Sequence, residues 1–179
     1  QKCYGSWHDN NIRYINSTIR EQFCNNMSII QVDTLQKRDG STFPLGKIGQ
    51  VVSTVNSTFA SSSSSSYVDT GLSLAITPTS TSSKILINIS ASIGNTSGGA
   101  NNSARIVRDS TEIETFSRVA FNSNNHSDVQ NSFVFLDTPS TTSATTYKLQ
   151  YKRDNGTIRF NDNSVSDPAS TITLMEVLA

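Results

Sequence analysis

The sequence predicts an all-β protein: an antiparallel, jelly-roll-like β-sandwich preceded by a short N-terminal docking segment. Three observations support this fold class. Thr, Val, Ile and aromatic residues fill the ordered-looking stretches, while helix-favouring Ala, Leu, Glu and Lys are scarce. Apolar and polar residues alternate along these stretches, which is the period of a half-buried strand. Clusters of Ser, Thr, Asn and Gly separate them at the spacing typical of sandwiches and jelly rolls.

The chain has 179 residues, enough for one domain and a short extra segment. Its 14 Lys and Arg balance 14 Asp and Glu, and 16% of residues are charged, so the clustered positive charge of a nucleic-acid-binding protein is missing. Neutral side chains supply the polarity: 30 Ser, 20 Thr and 17 Asn. No apolar run approaches the roughly 18 residues of a membrane span, so no membrane insertion is expected. Gln1 is not an initiator residue, and we expect the chain to be processed or incomplete at its start.

Residues 1–46 form a predicted N-terminal segment for attachment and oligomerisation. Apolar residues recur at helical spacing between Asn11 and Cys24, so a short amphipathic helix is one interpretation, and a β-arm on a neighbouring subunit is the other. The segment is too apolar for a free tail and too small for a core of its own, so it should bury against a partner or a sister subunit. The predicted interface residues are Tyr4, Trp7, Ile12, Tyr14, Ile15, Ile19 and Phe23.

The predicted sandwich spans residues 47–179, after a breaker at Phe43-Pro44-Leu45-Gly46, and contains eight to ten strands. Serines 61–66 are interpreted as a flexible loop or a bridging edge. Asp109-Ser110 and Asn155-Gly156 are predicted hairpin turns, the second because Asn-Gly suits a type I′ turn. The predicted strands are 48–55, 67–70, 72–77, 84–93, 105–108, 112–116, 131–137, 145–151, 157–160 and 171–177.

The predicted core consists of apolar residues two positions apart, which share one face of a strand. The strongest example is the run of isoleucines between Lys84 and Ile93. The core is expected to be led by Ile85, Ile87, Ile89, Phe133, Phe135, Tyr147, Leu149, Ile172 and Leu174.

Side chains suited to catalysis or metal binding are few. Cys3, His8 and Cys24 lack a fourth ligand, so no metal or other cofactor is expected, and free thiols are favoured over a disulfide. Glu112 and Glu114 are two apart, which indicates a solvent-facing strand more than a catalytic pair. With no nucleophile beside a base and no phosphate-binding motif, we assign no catalytic residues and do not expect an enzyme.

Two stretches without bulky apolar residues, 95–102 and 122–128, are predicted to be mobile loops carrying amide and hydroxyl groups. Such groups suit the hydroxyls of a glycan, although a merely inert surface has the same composition. The candidate surface-binding residues are Asn95, Asn101, Asn102, Asn122, Asn124, Asn125 and His126.

A series of segments in fixed order carries a family resemblance. The segments are Gly46-Lys47-Ile48-Gly49-Gln50-Val51-Val52, Tyr67-Val68-Asp69-Thr70-Gly71-Leu72, Ile76-Thr77-Pro78 with Ser82-Ser83-Lys84-Ile85-Leu86-Ile87, Asp137-Thr138-Pro139 with Thr145-Thr146-Tyr147, and Ser170-Thr171-Ile172-Thr173-Leu174-Met175-Glu176-Val177. In order, spacing and terminal position, they resemble the C-terminal β-sandwich domain of tail-fibre and other virion appendage proteins of cyanophages and other marine phages. The resemblance covers about residues 33–179.

The resemblance implies a bacteriophage structural protein that is located in the virion and attaches it to the host. About 45 residues precede the domain, which favours a short tail fibre or a capsid or tail appendage over a long fibre. Implied partners are further copies in a homotrimer, other virion proteins and a host-surface glycan. The alternative is a secreted lectin-like adhesin module, which a signal sequence in the full gene would favour. A surface hydrolase would need an acid/base pair that the sequence does not offer.

Overall fold

The computed structural model describes residues 47–97, 101–120, 127–162 and 168–178. Within these ranges the chain forms ten β-strands and no helix, so the predicted all-β class and strand number are confirmed. The predicted docking residues Tyr4 to Phe23, together with Cys3, His8 and Cys24, lie outside the described residues. The strands are β1 (Lys47–Asn56), β2 (Ala60–Ser62), β3 (Val68–Ile76), β4 (Lys84–Asn95), β5 (Ser103–Arg108), β6 (Thr111–Ser117), β7 (Ser127–Asp137), β8 (Thr145–Lys152), β9 (Ile158–Phe160) and β10 (Ser170–Leu178).

The strands form two antiparallel sheets, as expected for a β-sandwich. In the six-stranded sheet, β4 is central: β7 pairs with one of its edges from Ile85 to Asn95, while β10 and then β9 share the other edge. β1 continues the sheet beyond β10, and β2 continues it beyond β9. The four-stranded sheet has the order β3-β8-β5-β6.

The sandwich has two distinct ends. β1 begins at Lys47, which pairs with Leu178 of β10, and we call this the lower end. β4 ends at Asn95, which pairs with Ser127 of β7, at the opposite, upper end. At about 3.3 Å per residue, the length of β1 separates the two ends by roughly 30 Å.

The core lies between the sheets and is formed by the residues that alternation predicts. Tyr147, Leu149 and the isoleucines of β4 are fully buried in one cluster. Of the nine predicted core residues, eight are buried, and Phe135 is partly buried because β7 lies at a margin of its sheet. Phe133 packs on Phe116 of β6 with ring centroids 4.6 Å apart, which closes the sandwich on that side.

One predicted hairpin is confirmed. β5 and β6 pair around Asp109 and Ser110, and Asp109 has a φ of 53°. The carboxylate of Asp109 accepts a 2.9 Å hydrogen bond from the Thr146 amide, which fixes the turn against β8.

The second predicted hairpin is wrong. β8 and β9 flank Asn155-Gly156 but belong to different sheets, so the two strands do not pair. Gly156 does adopt a positive φ, 71°, as a type I′ turn would require. The chain uses that conformation to cross from one sheet to the other.

Stretches 67–70 and 72–77, predicted as two strands, form one strand. β3 runs through Gly71, whose φ of 85° accompanies a shift of register against β8 between Asp69 and Ser73. Of the serine tract, the first two residues belong to the short strand β2, in keeping with the predicted bridging edge.

Candidate binding surface

The structure describes three of the seven predicted surface-binding residues. Asn101 is exposed, but Asn95 is 1% exposed and Asn102 is fully buried. For Asn95 and Asn102, the prediction of an exposed, sugar-contacting amide is therefore wrong. The other four, Asn122, Asn124, Asn125 and His126, lie outside the described residues.

Asn102 is buried because its amide satisfies backbone groups of two neighbouring segments. Its Nδ2 donates to the carbonyl of Ala120 at 3.1 Å, and its Oδ1 accepts from the amide of Asp154 at 3.0 Å. A side-chain amide can both donate and accept, so it can replace the backbone partners that loops lack.

Asn95, the last residue of β4, has the same role for the neighbouring part of that loop. Its Oδ1 accepts from the Ser97 amide at 3.2 Å, and its Nδ2 donates to the carbonyl of Asn155 at 3.3 Å. The turn around Gly156 is thereby held against the end of β4.

A third buried asparagine, Asn161, was not predicted. It adopts a φ of 51°, and its Nδ2 donates to the carbonyl of Asn56 at 2.7 Å. Its Oδ1 accepts from the Ser170 hydroxyl at 2.6 Å, and that hydroxyl in turn accepts from the Ser92 amide at 3.0 Å. In a chain with 17 asparagines, no local signal distinguishes this one.

A polar groove lies where the upper part of β1 runs beside β3. Its volume is about 340 Å³, within the range of small-ligand sites. Every lining residue is uncharged. The lining residues are Thr54, Val55, Asn56, Ser57, Thr58, Gly71, Leu72 and Ser73.

The groove presents hydroxyl groups that are available to a ligand. Within the described part of the chain, no hydrogen-bond partner engages the hydroxyls of Thr54, Ser57 and Ser73. Asn56 holds the adjoining turn, because its Oδ1 accepts from the Thr58 amide at 2.7 Å. Phe59 follows directly in the chain and is 44% exposed, but it does not line the groove.

Of the three buried carboxylates in the described residues, Asp162 pairs with Arg159, and the other two lie towards the lower end, away from the groove. Asp137 accepts hydrogen bonds from Arg108 and Tyr147, and burial raises the pKa of Tyr147. Glu176 accepts from Gln50 and Thr79. Both carboxylates are engaged in bonds between elements of the sandwich, a structural role.

The two glutamates of β6 do not share one face of the strand as their two-residue spacing would predict, because a register shift lies between them: Glu114 pairs with Ile106 and Glu112 with Val107. Glu112 is exposed and forms a 2.6 Å ion pair with Arg105 of β5, while Glu114 is partly exposed. Within the described ranges, no group of three or more His, Cys, Asp or Glu residues is placed to hold a metal ion. The same ranges contain no helix with the length and apolar character needed to cross a membrane.

No family model matches the chain, and neither does any curated protein. Similar solved structures are those of VP2 from infectious bursal disease virus. A VP2 subviral particle aligns at 15% identity and a TM-score of 0.43, covering 84% of this chain and 42% of that one. T=1 particles derived from the same virus align at 16% identity and a TM-score of 0.44, covering 84% and 41%. The chain thus spans less than half the length of these proteins, and at such TM-scores we draw no functional inference from the likeness.

Proposed function

We propose that the chain is a non-enzymatic structural protein of a bacteriophage virion, either a short tail fibre or a capsid or tail appendage. Residues 1–46 anchor it to other virion proteins, and the β-sandwich is presented for host-surface binding. The chain acts as a homotrimer. The sequence resemblance to phage appendage domains supports this proposal, and one feature of the fold carries it further.

That feature is the separation of the two ends of the sandwich. The segment before β1 joins at Lys47, at the lower end, whereas the described loops around Ser64, Asn101 and Asn155 lie at the upper end. The described loops of the upper end therefore lie roughly 30 Å from Lys47, the first residue of the sandwich. This distance leaves the upper loops free to contact a host when the chain is held through residues that precede Lys47.

The groove beside β3 is the proposed contact for a host-surface glycan. Its neutral hydroxyls match sugar hydroxyls as donors and acceptors. Because none of its lining residues is charged, the groove does not favour an ionic ligand.

Incorporation into particles tests the structural role. A variant lacking residues 1–30 is expected to remain folded, with the circular dichroism of a β-protein, but to be missing from purified particles of a phage that encodes it. The full-length chain, expressed at the same level, is the control. Normal incorporation of the shortened chain contradicts the anchoring role, and absence of the full-length chain from particles favours a secreted adhesin.

Adsorption to host cells tests the glycan contact. Ser57→Tyr fills the groove and should reduce binding of the labelled protein to cells, while Thr142→Tyr, an exposed site at the lower end, should leave it unchanged. Polysaccharide purified from the cell surface should compete with the wild-type protein. Equal binding by the two variants would exclude the groove as the contact.

A further inference from the structure

Asn155-Gly156 is the one Asn-Gly pair in the sequence, and it lies in the described loop between β8 and β9. A glycine after an asparagine places no side chain near the peptide nitrogen, so that nitrogen approaches the asparagine side chain without hindrance. Asn155 is exposed, so water and hydroxide reach it. The pair belongs to neither sheet, and strand pairing does not fix its backbone.

The peptide nitrogen of Gly156 lies against the side-chain amide of Asn155. Its N–H donates to Asn155 Oδ1 at 2.8 Å. Because Oδ1 and Cγ are one C=O bond apart, the nitrogen lies within about 4 Å of Cγ. Within the described ranges this N–H has no other acceptor, so no backbone hydrogen bond holds the nitrogen away from Cγ. Rotation about χ2 of Asn155, a torsion with a broad minimum, turns the face of the side-chain carbonyl towards the nitrogen.

The other asparagines that the structure describes lack this combination. Asn95, Asn102 and Asn161 are buried. Asn88 is exposed, but it lies in β4, whose backbone is paired with β10 on one edge and with β7 on the other. Exposure, a following glycine and an amide outside the strand pairing coincide at Asn155.

We propose that Asn155 is a site of spontaneous chemical modification, at which the asparagine converts to aspartate and isoaspartate without an enzyme. The Gly156 nitrogen gives up its proton to hydroxide and bonds to Cγ of Asn155. The bond between Cγ and Nδ2 breaks, and Nδ2 takes a proton from water and leaves as ammonia. The product is a five-membered succinimide ring.

Water then adds to one of the two ring carbonyls and opens the ring. When the bond between Cγ and the Gly156 nitrogen breaks, the product is aspartate. When the bond between the main-chain carbonyl carbon and that nitrogen breaks, the product is isoaspartate, and the chain continues through Cγ. Overall, one water is consumed and one ammonia is released, with no oxidation or reduction.

Both products change the upper end of the sandwich. A carboxylate replaces a neutral amide beside Asp154, and the formal net charge of the chain, zero at pH 7, becomes one unit more negative. Isoaspartate also lengthens the main chain by one carbon, and the Asn155 carbonyl that accepts from Asn95 Nδ2 at 3.3 Å becomes part of the free carboxylate. The upper loops therefore differ between newly made and aged protein.

Peptide mass spectrometry of the folded full chain tests this assignment. Trypsin cleaves after Arg153 and Arg159, and the peptide 154–159 contains Asn155 as its one asparagine, so the mass increase from –NH₂ to –OH is assigned to that residue. During incubation at mildly alkaline pH, this peptide should convert almost completely before Asn88 changes measurably, relative to a sample digested before incubation. The rate should rise by up to about tenfold per pH unit, because the attacking nitrogen must be deprotonated.

Asn155→Gln is the matched control. Its side-chain amide is one carbon further from the Gly156 nitrogen, so attack would need a six-membered ring, and no conversion is expected over the same time. Liquid chromatography should resolve two products of the wild-type peptide, aspartate and isoaspartate, and the Asn155→Asp variant identifies the first of them.

The same chain unfolded in guanidinium chloride separates the effect of the fold from that of the dipeptide. Asn155 should convert in the folded and unfolded chains at rates within about tenfold of each other, while Asn88 should convert faster once unfolded. Circular dichroism establishes that the first sample stays folded during the incubation. Conversion of Asn155 in the unfolded chain alone would show that the fold protects the site, and that result, or no conversion in either sample, overturns the assignment.

Discussion

The hydroxyl of Tyr147 donates a 2.6 Å hydrogen bond to Oδ2 of Asp137. Tyr147 lies on β8 of the four-stranded sheet and Asp137 at the end of β7 in the six-stranded sheet, so the bond joins the two layers. Arg108 of β5 completes the cluster, with Nη1 2.8 and 2.7 Å from the two carboxylate oxygens. A carboxylate removed from water needs such donors, and these three side chains therefore fasten the sandwich at its lower end.

Replacing Tyr147 by Phe should lower the free energy of unfolding by about 2 kcal/mol, the range for a hydrogen bond to a charged group. The matched control is Tyr151→Phe. Tyr151 is also buried, but its hydroxyl has no hydrogen-bond partner in the described ranges, so the loss should be clearly smaller. Urea unfolding of both variants measures the difference, and equal losses would contradict a special role for the bond to Asp137.

Replacing Gly156 by Ala should be costly for two reasons. Its φ of 71° disfavours any residue with a Cβ by about 1–2 kcal/mol, and the added atom would lie 2.6 Å from the Cβ of Ser97. Gly71→Ala is the comparison, because its φ of 85° has the same backbone cost, but the new atom meets only the end of the Asn56 side chain at 3.1 Å. The melting temperature of Gly156→Ala should be lower than that of Gly71→Ala. The reverse order would show that the upper loops shift easily to accommodate the added atom.

Alternation along single strands was enough to predict the fold class and most of the core. Ile85, Ile87 and Ile89 are separated by Leu86 and Asn88, so the inward side of β4 follows from the sequence of that strand alone. The pairing of strands did not follow in the same way. The residues that flank Asn155-Gly156 do not indicate that β8 and β9 belong to different sheets.

The candidate site was harder to predict because its determinants are not local. Asn101 and Asn102 are neighbours in the same polar stretch, yet one is exposed and the other is buried against Ala120 and Asp154. The amino-acid composition of the stretch does not distinguish the exposed asparagine from the buried one. The burial of Asn102 depends on segments 18 and 52 residues away in the chain.

The alignment of Val51, Met175, Leu86 and Leu136 across four strands could not be predicted from the sequence for a related reason. Val51 and Leu136 each look like ordinary alternating residues of their own strands. Only the register of β1 on β10, of β10 on β4 and of β4 on β7 aligns them with Met175 and Leu86.

Ile87→Ala and Leu86→Ala compare the two faces of β4 at adjacent positions. Ile87 is fully buried between the sheets, so its truncation should cost about 2–5 kcal/mol. Leu86 points outward and is only partly buried, so its truncation should cost clearly less in urea unfolding. Similar losses of stability from both variants would contradict the assignment of inner and outer faces.

Glu176 predicts how stability depends on pH. Its side chain is fully buried on β10, where Gln50 donates to Oε2 at 2.9 Å and the amide and hydroxyl of Thr79 donate to Oε1 at 2.6 and 2.8 Å. Burial by itself would raise the pKa of this carboxyl, but the hydrogen bonds from Gln50 and Thr79 outweigh it and lower the pKa from 4.5 to about 2.

A carboxyl whose pKa is lowered by folding stabilises the native state while it is ionised. The contribution is fully present above pH 4.5, the ordinary value, and is lost as the pH falls to about 2. Urea unfolding between pH 6 and pH 2 should therefore show a steeper fall in stability for the wild type than for Glu176→Gln. Glu114→Gln, which leaves the buried carboxylate in place, should retain the wild-type slope. Parallel curves for the wild type and Glu176→Gln would mean that Glu176 does not carry this pH dependence.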